Sequence, residues 1–354
     1  MSEERFRVAI VGTFDVENYG DLLFPLLAQE SLGKRLGELE LLIFSYNSKP
    51  RGAWPFEVRS LEDLPEALTD VDALLIGGGH LFRFDKQVGV EYGPPSSNIH
   101  HPTGYWLVPA LLGALSGKPV IWNGIGVSVD TPEWGRTMAT TALRASSYVS
   151  VRDKPSAREL LRLAPEAEIH VIPDTAFGLS ELLSREPTEE FLRWRTSIGL
   201  QREYVVIQPA PALKPYASVI REALASLSAR GVQVVELVIG PAVGDEVGIL
   251  HLDPPPVTAS LWSQPLLLAE VVKGASAVIA QSLHLSITAL CVDVPLFRVQ
   301  SDEGSKYSIL ESQPGVWMFD GTAGVLAESL GSVLSGRPLG KSMKPELDKL
   351  NVHW

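Results

Sequence analysis

The chain has 354 residues, of which 45% are hydrophobic and 20% charged. This composition is typical of a globular protein, and the length favours two domains of roughly 150 to 200 residues each. The formal net charge of −12 argues against a nucleic acid as the main partner. The lone cysteine, Cys291, excludes an intrachain disulfide and a cysteine metal cluster.

The start of the sequence is charged and lacks the apolar core of a signal peptide. Elsewhere no uninterrupted apolar run approaches the roughly 18 residues that a membrane span requires. We therefore expect a soluble, cytoplasmic α/β protein.

The first half of the sequence alternates short apolar runs with helical patterns. Strands separated by helices at this spacing predict parallel βαβ units. The first predicted helix has Asp21 as a candidate cap, and Pro25 fits only near its first turn. Strands are predicted at 6–11, 39–44, 71–76, 119–122, 148–151 and 169–172, and helices within 22–32, 132–145 and 156–163.

Polar and glycine-rich segments follow these strands. The segment after the first strand lacks the Gly-x-Gly-x-x-Gly fingerprint and a P-loop lysine, which disfavours binding of NAD or ATP. After the third strand, Gly77-Gly78-Gly79-His80 permits close approach of a ligand, or alternatively forms a tight turn with positive φ. The long polar stretch 83–103 predicts a lid or binding segment.

The pattern restarts after a charged, mostly helical connector. We therefore predict an N-terminal Rossmann-like domain at 1–178, a connector at 179–202, and a C-terminal Rossmann-like domain at 203–354 with a helical tail. Two such domains facing a cleft describe a GT-B-like architecture. In the second half, strands are predicted at 204–208, 234–239, 277–280 and 295–299, and helices at 217–229, 266–272, 283–291 and 323–334.

A strand gives way to a helix at Gln281, Ser282 and His284. Ligands bind at the carboxyl ends of strands in open α/β sheets, and the free amides of a helix start attract anions. A histidine at this place can exchange a proton near neutral pH. A buried core histidine or a helix cap explains the same pattern about equally well.

Six motifs, in this order along almost the whole chain, resemble those of the polysaccharide pyruvyl transferase family. The resemblance implies a GT-B-like fold. It also implies transfer of the pyruvyl group of phosphoenolpyruvate onto two hydroxyls of a sugar, forming a cyclic ketal on a precursor of a cell-surface polysaccharide or exopolysaccharide. The motifs are Asn18-Tyr19-Gly20-Asp21, Gly77-Gly78-Gly79, Gly124-Ile125-Gly126, Val149-Ser150-Val151-Arg152-Asp153, Pro173-Asp174 and Ser282-Leu283-His284.

The resemblance implies roles for particular residues. Arg152 would bind the donor, His284 would be the general acid, and Lys306 occupies the place of a basic residue that helps hold the donor. Many relatives carry an arginine where this chain has Ser282, a further candidate donor residue, so one positive charge fewer would face the donor. A salt bridge of Arg152 with Asp153 or another carboxylate, and a solvated loop position for Lys306, remain alternatives.

The N-terminal domain would hold the acceptor and contribute Arg152, while the C-terminal domain would hold the donor. A turn and a helix cap remain alternative explanations for two of the acceptor candidates, Asn18 and Asp21. The candidate acceptor-binding residues are Asn18, Asp21, Gly78, Gly79, His80 and Asp174.

The expected partners are phosphoenolpyruvate and a saccharide acceptor, with no cofactor, no metal and no nucleic acid. A lipid-linked acceptor would bring the protein to the inner face of the membrane, and the oligomeric state stays open, with a homo-oligomer as one option. Two other functions compete with this one. They are a GT-B glycosyltransferase that uses a nucleotide sugar, and a non-catalytic glycan-binding protein.

Overall fold

The computed structural model describes residues 5–52, 54–84, 104–128, 131–200, 203–299, 308–311, 313, 315–319, 323–334 and 344–354. Lys306 and all but the first two residues of the segment 83–103 lie outside the described residues.

The chain forms two compact units. The first unit consists of Met1–Val16, Asp21–Thr175 and Glu346–Trp354, and the second of Glu17–Gly20 and Ala176–Pro345. Three short segments therefore group differently from the sequence prediction. Residues 346–354 group with the first unit, and Glu17–Gly20 and 176–178 group with the second, which also contains the predicted connector 179–202.

The first unit is built on a parallel sheet of seven described strands in the order β3-β2-β1-β4-β5-β6-β7. The central strands are almost wholly apolar, as is required when helices cover both faces of a sheet. The strand order reverses between β1 and β4, so the loops after these two strands flank the position where ligands bind in such sheets. The strands are β1 Phe6–Val11, β2 Leu39–Ser45, β3 Arg59–Ser60, β4 Ala73–Gly77, β5 Val120–Ile125, β6 Tyr148–Val151 and β7 Ile169–Val171.

Helices connect these strands, and a last helix, α12, joins the same unit from the far end of the sequence. The helices of this unit are α1 Tyr19–Leu36, α2 Leu64–Ala67, α3 Gly104–Leu115, α4 Glu133–Ala145, α5 Lys154–Leu163 and α12 Lys344–His353, of which the first two residues of α1 and of α12 are grouped with the second unit.

The second unit repeats the plan with a parallel sheet of six described strands in the order β10-β9-β8-β11-β12-β13. Its strands are β8 Tyr204–Ile207, β9 Gln233–Val238, β10 Val257–Ser260, β11 Ala277–Ile279, β12 Leu296–Val299 and β13 Val316–Phe319. Its helices are α6 Glu189–Ser197, α7 Ala217–Ala229, α8 Pro265–Lys273, α9 Leu283–Cys291, α10 Ser308–Glu311 and α11 Ala323–Leu334. The predicted α/β class with two parallel sheets is confirmed.

The start of α1 differs from the sequence prediction. The helix begins at Tyr19, so Asp21 lies inside its first turn instead of capping it, and Pro25 lies inside the helix. The prediction of a cap at Asp21 was therefore wrong. The carboxylate still faces the positive end of the helix dipole, which is a favourable position for it.

No helix in the described part of the chain is both long enough and apolar enough to cross a membrane.

Helix α12 docks on the first unit through a half-buried histidine. His353 Nε2 lies 2.8 Å from Asn123 Oδ1, and its Nδ1 lies 3.0 Å from the hydroxyl of Tyr148. Because the amide oxygen can only accept, Nε2 donates to it, and a neutral ring then accepts the Tyr148 proton at Nδ1. Burial, with smaller contributions from the charges of His170 and Arg35, lowers the pKa of His353 to about 4.

This depressed pKa predicts a loss of stability in acid. The unfolded chain, in which a histidine has a pKa of about 6.5, binds more protons than the folded chain between pH 6.5 and 4. Stability should therefore be full above about pH 6.5 and fall as the pH drops towards 4, by up to about 2 kcal/mol at pH 5 from this group.

Urea unfolding of the parent and of His353→Gln at pH 7.5 and pH 5.0 measures this contribution. The parent should lose more stability than the variant between the two pH values, while His251→Asn, at an exposed loop position, should behave like the parent. Equal losses in the parent and His353→Gln would contradict the prediction.

Candidate functional site

The carboxyl ends of β4, β5 and β6 and the segment after β7 bring several predicted site residues together in the first unit. The loops after β4 and β5 pair directly, since Gly126 N donates to Gly79 O at 2.8 Å and Phe82 N donates to Gly126 O at 3.2 Å. His80 and Arg152 both lie next to Gly126 in this paired region. At this edge of the sheet, hydrogen bonds between the two loops therefore fix the backbone next to the polar side chains.

Arg152 forms a buried ion pair. Its Nη1 donates to Asp174 Oδ2 at 3.1 Å, and the two side chains are 2% and 1% exposed. Its Nε lies 3.9 Å from Asp153 Oδ2, which is beyond hydrogen-bond distance, and Asp153 caps α5 by accepting from Ser156 N at 2.7 Å. The structure thus contains the salt bridge that was the alternative explanation for Arg152, with Asp174 as the main partner. Both side chains are removed from solvent.

His80 lies beside Arg152, at the face of Gly126. A Cβ on Gly126 would lie 2.6 Å from His80 Nδ1 and 2.8 Å from Arg152 Nη2, so these two groups are close together. His80 Nε2 is 3.0 Å from Ser128 Oγ. His80, a predicted acceptor residue, and Arg152, a predicted donor residue, therefore share one location in the first unit.

Gly78 and Gly79 form the tight turn after β4, with φ of 62° and 79°. A Cβ on Gly78 would lie 2.0 Å from the ring of Phe24, and a Cβ on Gly79 would lie 3.2 Å from Asp21 Oδ1. The positive φ values and the contact with Phe24 account for these glycines structurally. Asp21 lies next to this turn.

In the second unit, His284 lies in the first turn of α9, two residues after the N-cap Ser282. The residue is half-buried, and its Nε2 is shielded from solvent. Its ring packs against the backbone of Gly20, where a Cβ would lie 1.9 Å from His284 Nδ1. The histidine therefore lies at the carboxyl edge of the second sheet as predicted, and its burial keeps the core-histidine alternative open.

A buried hydrogen-bond network fixes the peptide that leads into α9. Gln208 Oε1 accepts from Gln281 N at 3.0 Å and from Ser282 N at 2.8 Å, while its Nε2 donates to Asp245 at 2.9 Å. Asp245 also accepts from Ile239 N at 3.2 Å. Burial raises the pKa of Asp245 despite these hydrogen bonds.

Ser282 and Arg298 complete this region. Ser282 serves α9 as N-cap, although its side chain makes no cap hydrogen bond, and its carbonyl accepts from Ser286 Oγ at 2.6 Å and from Arg298 Nη1 at 3.4 Å. The buried Arg298 of β12 thus places a positive charge beneath the start of α9.

Asn18 has a local role in the chain turn before α1. Its Oδ1 lies 3.4 Å from Gly20 N and would lie 3.4 Å from a Cβ on Gly240. This geometry matches the turn that was the alternative explanation for Asn18. Sequence reasoning assigned no role to Gly20, Gln208, Asp245 or Arg298. For Arg298, a charged residue inside an apolar strand was the available signal.

Comparison with solved structures places the fold among GT-B-like proteins. The chain is similar to UDP-GlcNAc 2-epimerase from Methanocaldococcus jannaschii, with 11% identity, a TM-score of 0.61, and coverage of 99% of this chain and 100% of that chain. It is also similar to a glycosyltransferase from Rickettsia africae, with 11% identity, a TM-score of 0.55, and coverage of 94% and 89%. A third neighbour is E. coli ADP-heptose LPS heptosyltransferase II, with 14% identity, a TM-score of 0.50, and coverage of 93% and 98%.

These identities show the fold alone, and the sequence matches no curated protein. The family comparison goes further. The family model for polysaccharide pyruvyl transferase matches residues 18–303, which include Arg152, Asp174 and His284 and most of both units. The chain therefore belongs to the polysaccharide pyruvyl transferase family.

Proposed function

We propose that the chain transfers the pyruvyl group of phosphoenolpyruvate to two hydroxyls of a saccharide, forming a cyclic ketal and releasing phosphate. The observation that carries the proposal is the position of His284. It lies in the first turn of a helix at the carboxyl edge of a parallel sheet, inside the range that the family model matches.

The reaction requires two proton movements and one bond cleavage at the donor. The methylene carbon of phosphoenolpyruvate gains a proton and becomes a methyl group, and two acceptor oxygens bond to the adjacent carbon. The bond from that carbon to the phosphate oxygen breaks. The two acceptor hydroxyls release two protons in total. One of them makes up for the proton that the methyl group gains, and the other leaves with the phosphate. In this proposal His284 supplies the proton to the methylene carbon, a role typically worth about 10²- to 10⁴-fold in rate.

Arg152 is proposed to bind an acidic group of the donor. A guanidinium binds a carboxylate or a phosphate through two parallel hydrogen bonds. Nη1 of Arg152 is occupied by Asp174, whereas Nε is buried and makes no hydrogen bond to any described residue. An oxygen of the donor at this position would accept a hydrogen bond from Nε. This supports a role for Arg152 in binding the donor, in addition to its ion pair with Asp174. Lys306 and Ser282 remain proposed donor residues.

We propose that the reaction takes place in the cytoplasm on a precursor of a cell-surface polysaccharide. The saccharide acceptor can be linked to a lipid. The chemistry described above needs no cofactor beyond the donor substrate. The remaining acceptor candidates keep the roles assigned from the sequence and are open to test one at a time.

Thermal unfolding with separate additions of phosphoenolpyruvate and a panel of nucleotide sugars tests the choice of donor. A ligand present at 100 times its Kd stabilises the folded state by about 2.7 kcal/mol. We expect phosphoenolpyruvate to raise the melting temperature by a few degrees and UDP- and ADP-sugars to leave it unchanged. Phosphate release with a saccharide acceptor then identifies turnover.

A glycosyltransferase is the second candidate, because two of the structural neighbours are described as a glycosyltransferase and a heptosyltransferase. Stabilisation by a nucleotide sugar, with no effect of phosphoenolpyruvate, would favour it and contradict the proposed donor. Binding of a glycan without phosphate or nucleotide release would indicate a non-catalytic protein.

A further inference from the structure

Gly20 lies where the imidazole of His284 needs space. A Cβ on Gly20 would lie 1.9 Å from His284 Nδ1 and 2.6 Å from Cγ, so the ring occupies the volume of the missing side chain. The backbone of Gly20 does not have positive φ, and conformational freedom is therefore not the reason for a glycine at this position. Glycine is also a poor helix former compared with alanine. The observed contact is the feature that requires glycine.

Tyr19 ties the same backbone to the helix turn that carries His284. Thr288 Oγ1 donates its proton to His284 O at 2.8 Å, so the Tyr19 hydroxyl, 2.7 Å away, donates to Thr288 Oγ1. Tyr19 is fully buried, and burial raises the pKa of its hydroxyl, which keeps the donor proton in place.

The backbone of this segment is also anchored. Tyr19 N donates to Ile239 O at 2.8 Å, just beyond the end of β9, and Ala242 N donates to Glu17 O at 3.4 Å. Because these bonds hold the peptide, a side chain added at Gly20 would displace the imidazole more readily than the backbone. All of these residues belong to the second unit.

We propose that Tyr19 and Gly20 are positioning residues for His284, which together confine its imidazole to one orientation for proton transfer. The catalytic part of this inference, proton transfer by His284, rests on the proposed function. The confinement itself is a property of the ligand-free protein, so it is measurable whether or not phosphoenolpyruvate is the donor.

The test compares Gly20→Ala with Gly33→Ala. Both glycines lie in α1, and a Cβ on Gly33 would have no atom within 4 Å, so the control adds the same methyl group without a contact. We expect Gly20→Ala to lower kcat by about 10²-fold, similar to the removal of His284 itself, with KM for phosphoenolpyruvate changed by only a few-fold. Gly33→Ala should retain parental kcat.

A double-mutant cycle separates positioning from general damage. If Gly20 acts through His284, the double variant Gly20→Ala/His284→Asn should be no slower than His284→Asn alone, because interacting sites are non-additive. Multiplicative losses, or parental kcat in Gly20→Ala, would overturn the proposal.

If Gly20→Ala does not fold, Tyr19→Phe takes its place. It removes only the hydroxyl and should lower kcat by about 3- to 10-fold without a comparable change in KM, since a single buried hydrogen bond is lost.

Nuclear magnetic resonance of the ligand-free protein gives a readout independent of turnover. The ring signals of His284, assigned by their absence in His284→Asn, should shift in Gly20→Ala and stay in place in Gly33→Ala. Unshifted ring signals in Gly20→Ala would refute the positioning role. If the signals shift as expected but the parent releases no phosphate from phosphoenolpyruvate with any acceptor, the proposed function fails and the positioning role stands.

Discussion

His284→Asn should remain folded and lose on the order of 10²-fold or more in the rate of pyruvyl transfer. Asparagine roughly retains the size and hydrogen-bonding capacity of histidine but cannot exchange a proton near neutral pH. Binding of phosphoenolpyruvate should stay within a few-fold of the parent, because proton transfer is needed for the reaction and not for the ground-state complex. Single-turnover kinetics and calorimetric titration measure the two effects separately.

His251→Asn is the matched control for this variant. His251 belongs to the same unit, is exposed, and has a φ of 50°, which asparagine tolerates well. It should retain parental turnover. Near-parental turnover in His284→Asn would exclude His284 as the proton donor, whereas loss of folding would identify it as a core residue.

Replacement of Arg152 should reduce both stability and donor affinity, and the two effects can be separated. Arg152→Met removes the guanidinium that pairs with the buried Asp174 carboxylate, and breaking a buried ion pair in this way costs about 3 to 5 kcal/mol. The double variant Arg152→Met/Asp174→Asn removes both charges and should recover much of that loss. Urea unfolding measures the stability of each protein.

Donor affinity should not recover in the double variant if Arg152 contacts phosphoenolpyruvate. Arg152→Lys keeps the charge but loses the planar fork, so we expect weaker donor binding by about 10-fold or more. The control Arg144→Met removes an exposed partner of Glu166 and should leave donor affinity and melting temperature close to parental. Parental donor affinity in the folded double variant would show that Arg152 acts only through its ion pair.

Most of the repeated strands and helices of both units could be predicted from the sequence because the buried strands are mainly apolar runs. Several elements were missed, α3 and β13 among them, and three of the missed elements carry weak signals. The edge strand β3 has two residues, β10 is only partly buried, and the polar sequence of α12 gives little helical amphipathicity. Pro25 misled the placement of α1, because a proline inside a helix is unfavourable and the sequence offered no sign that the helix tolerates it.

The candidate site could be predicted only in part. Strand ends identified the region of His80, Arg152 and Asp174, since the carboxyl ends of parallel strands share one edge of the sheet. The sequence could not show that Arg152 and Asp174 pair with each other, or that Gly20 packs on His284. Such pairs depend on tertiary contacts between residues far apart in the sequence, and no local pattern encodes them.

The division of the chain into two units determines when the first unit can complete its folding during synthesis on the ribosome. The first unit contains both Met1–Val16 and Glu346–Trp354, so almost the whole second unit is inserted within it. A nascent chain would have all seven described strands of the first sheet before α12 and its His353 exist. The first unit would therefore lack its last helix for as long as the second unit is being translated. Asn123 and Tyr148 would stay hydrated until the final helix docks on them.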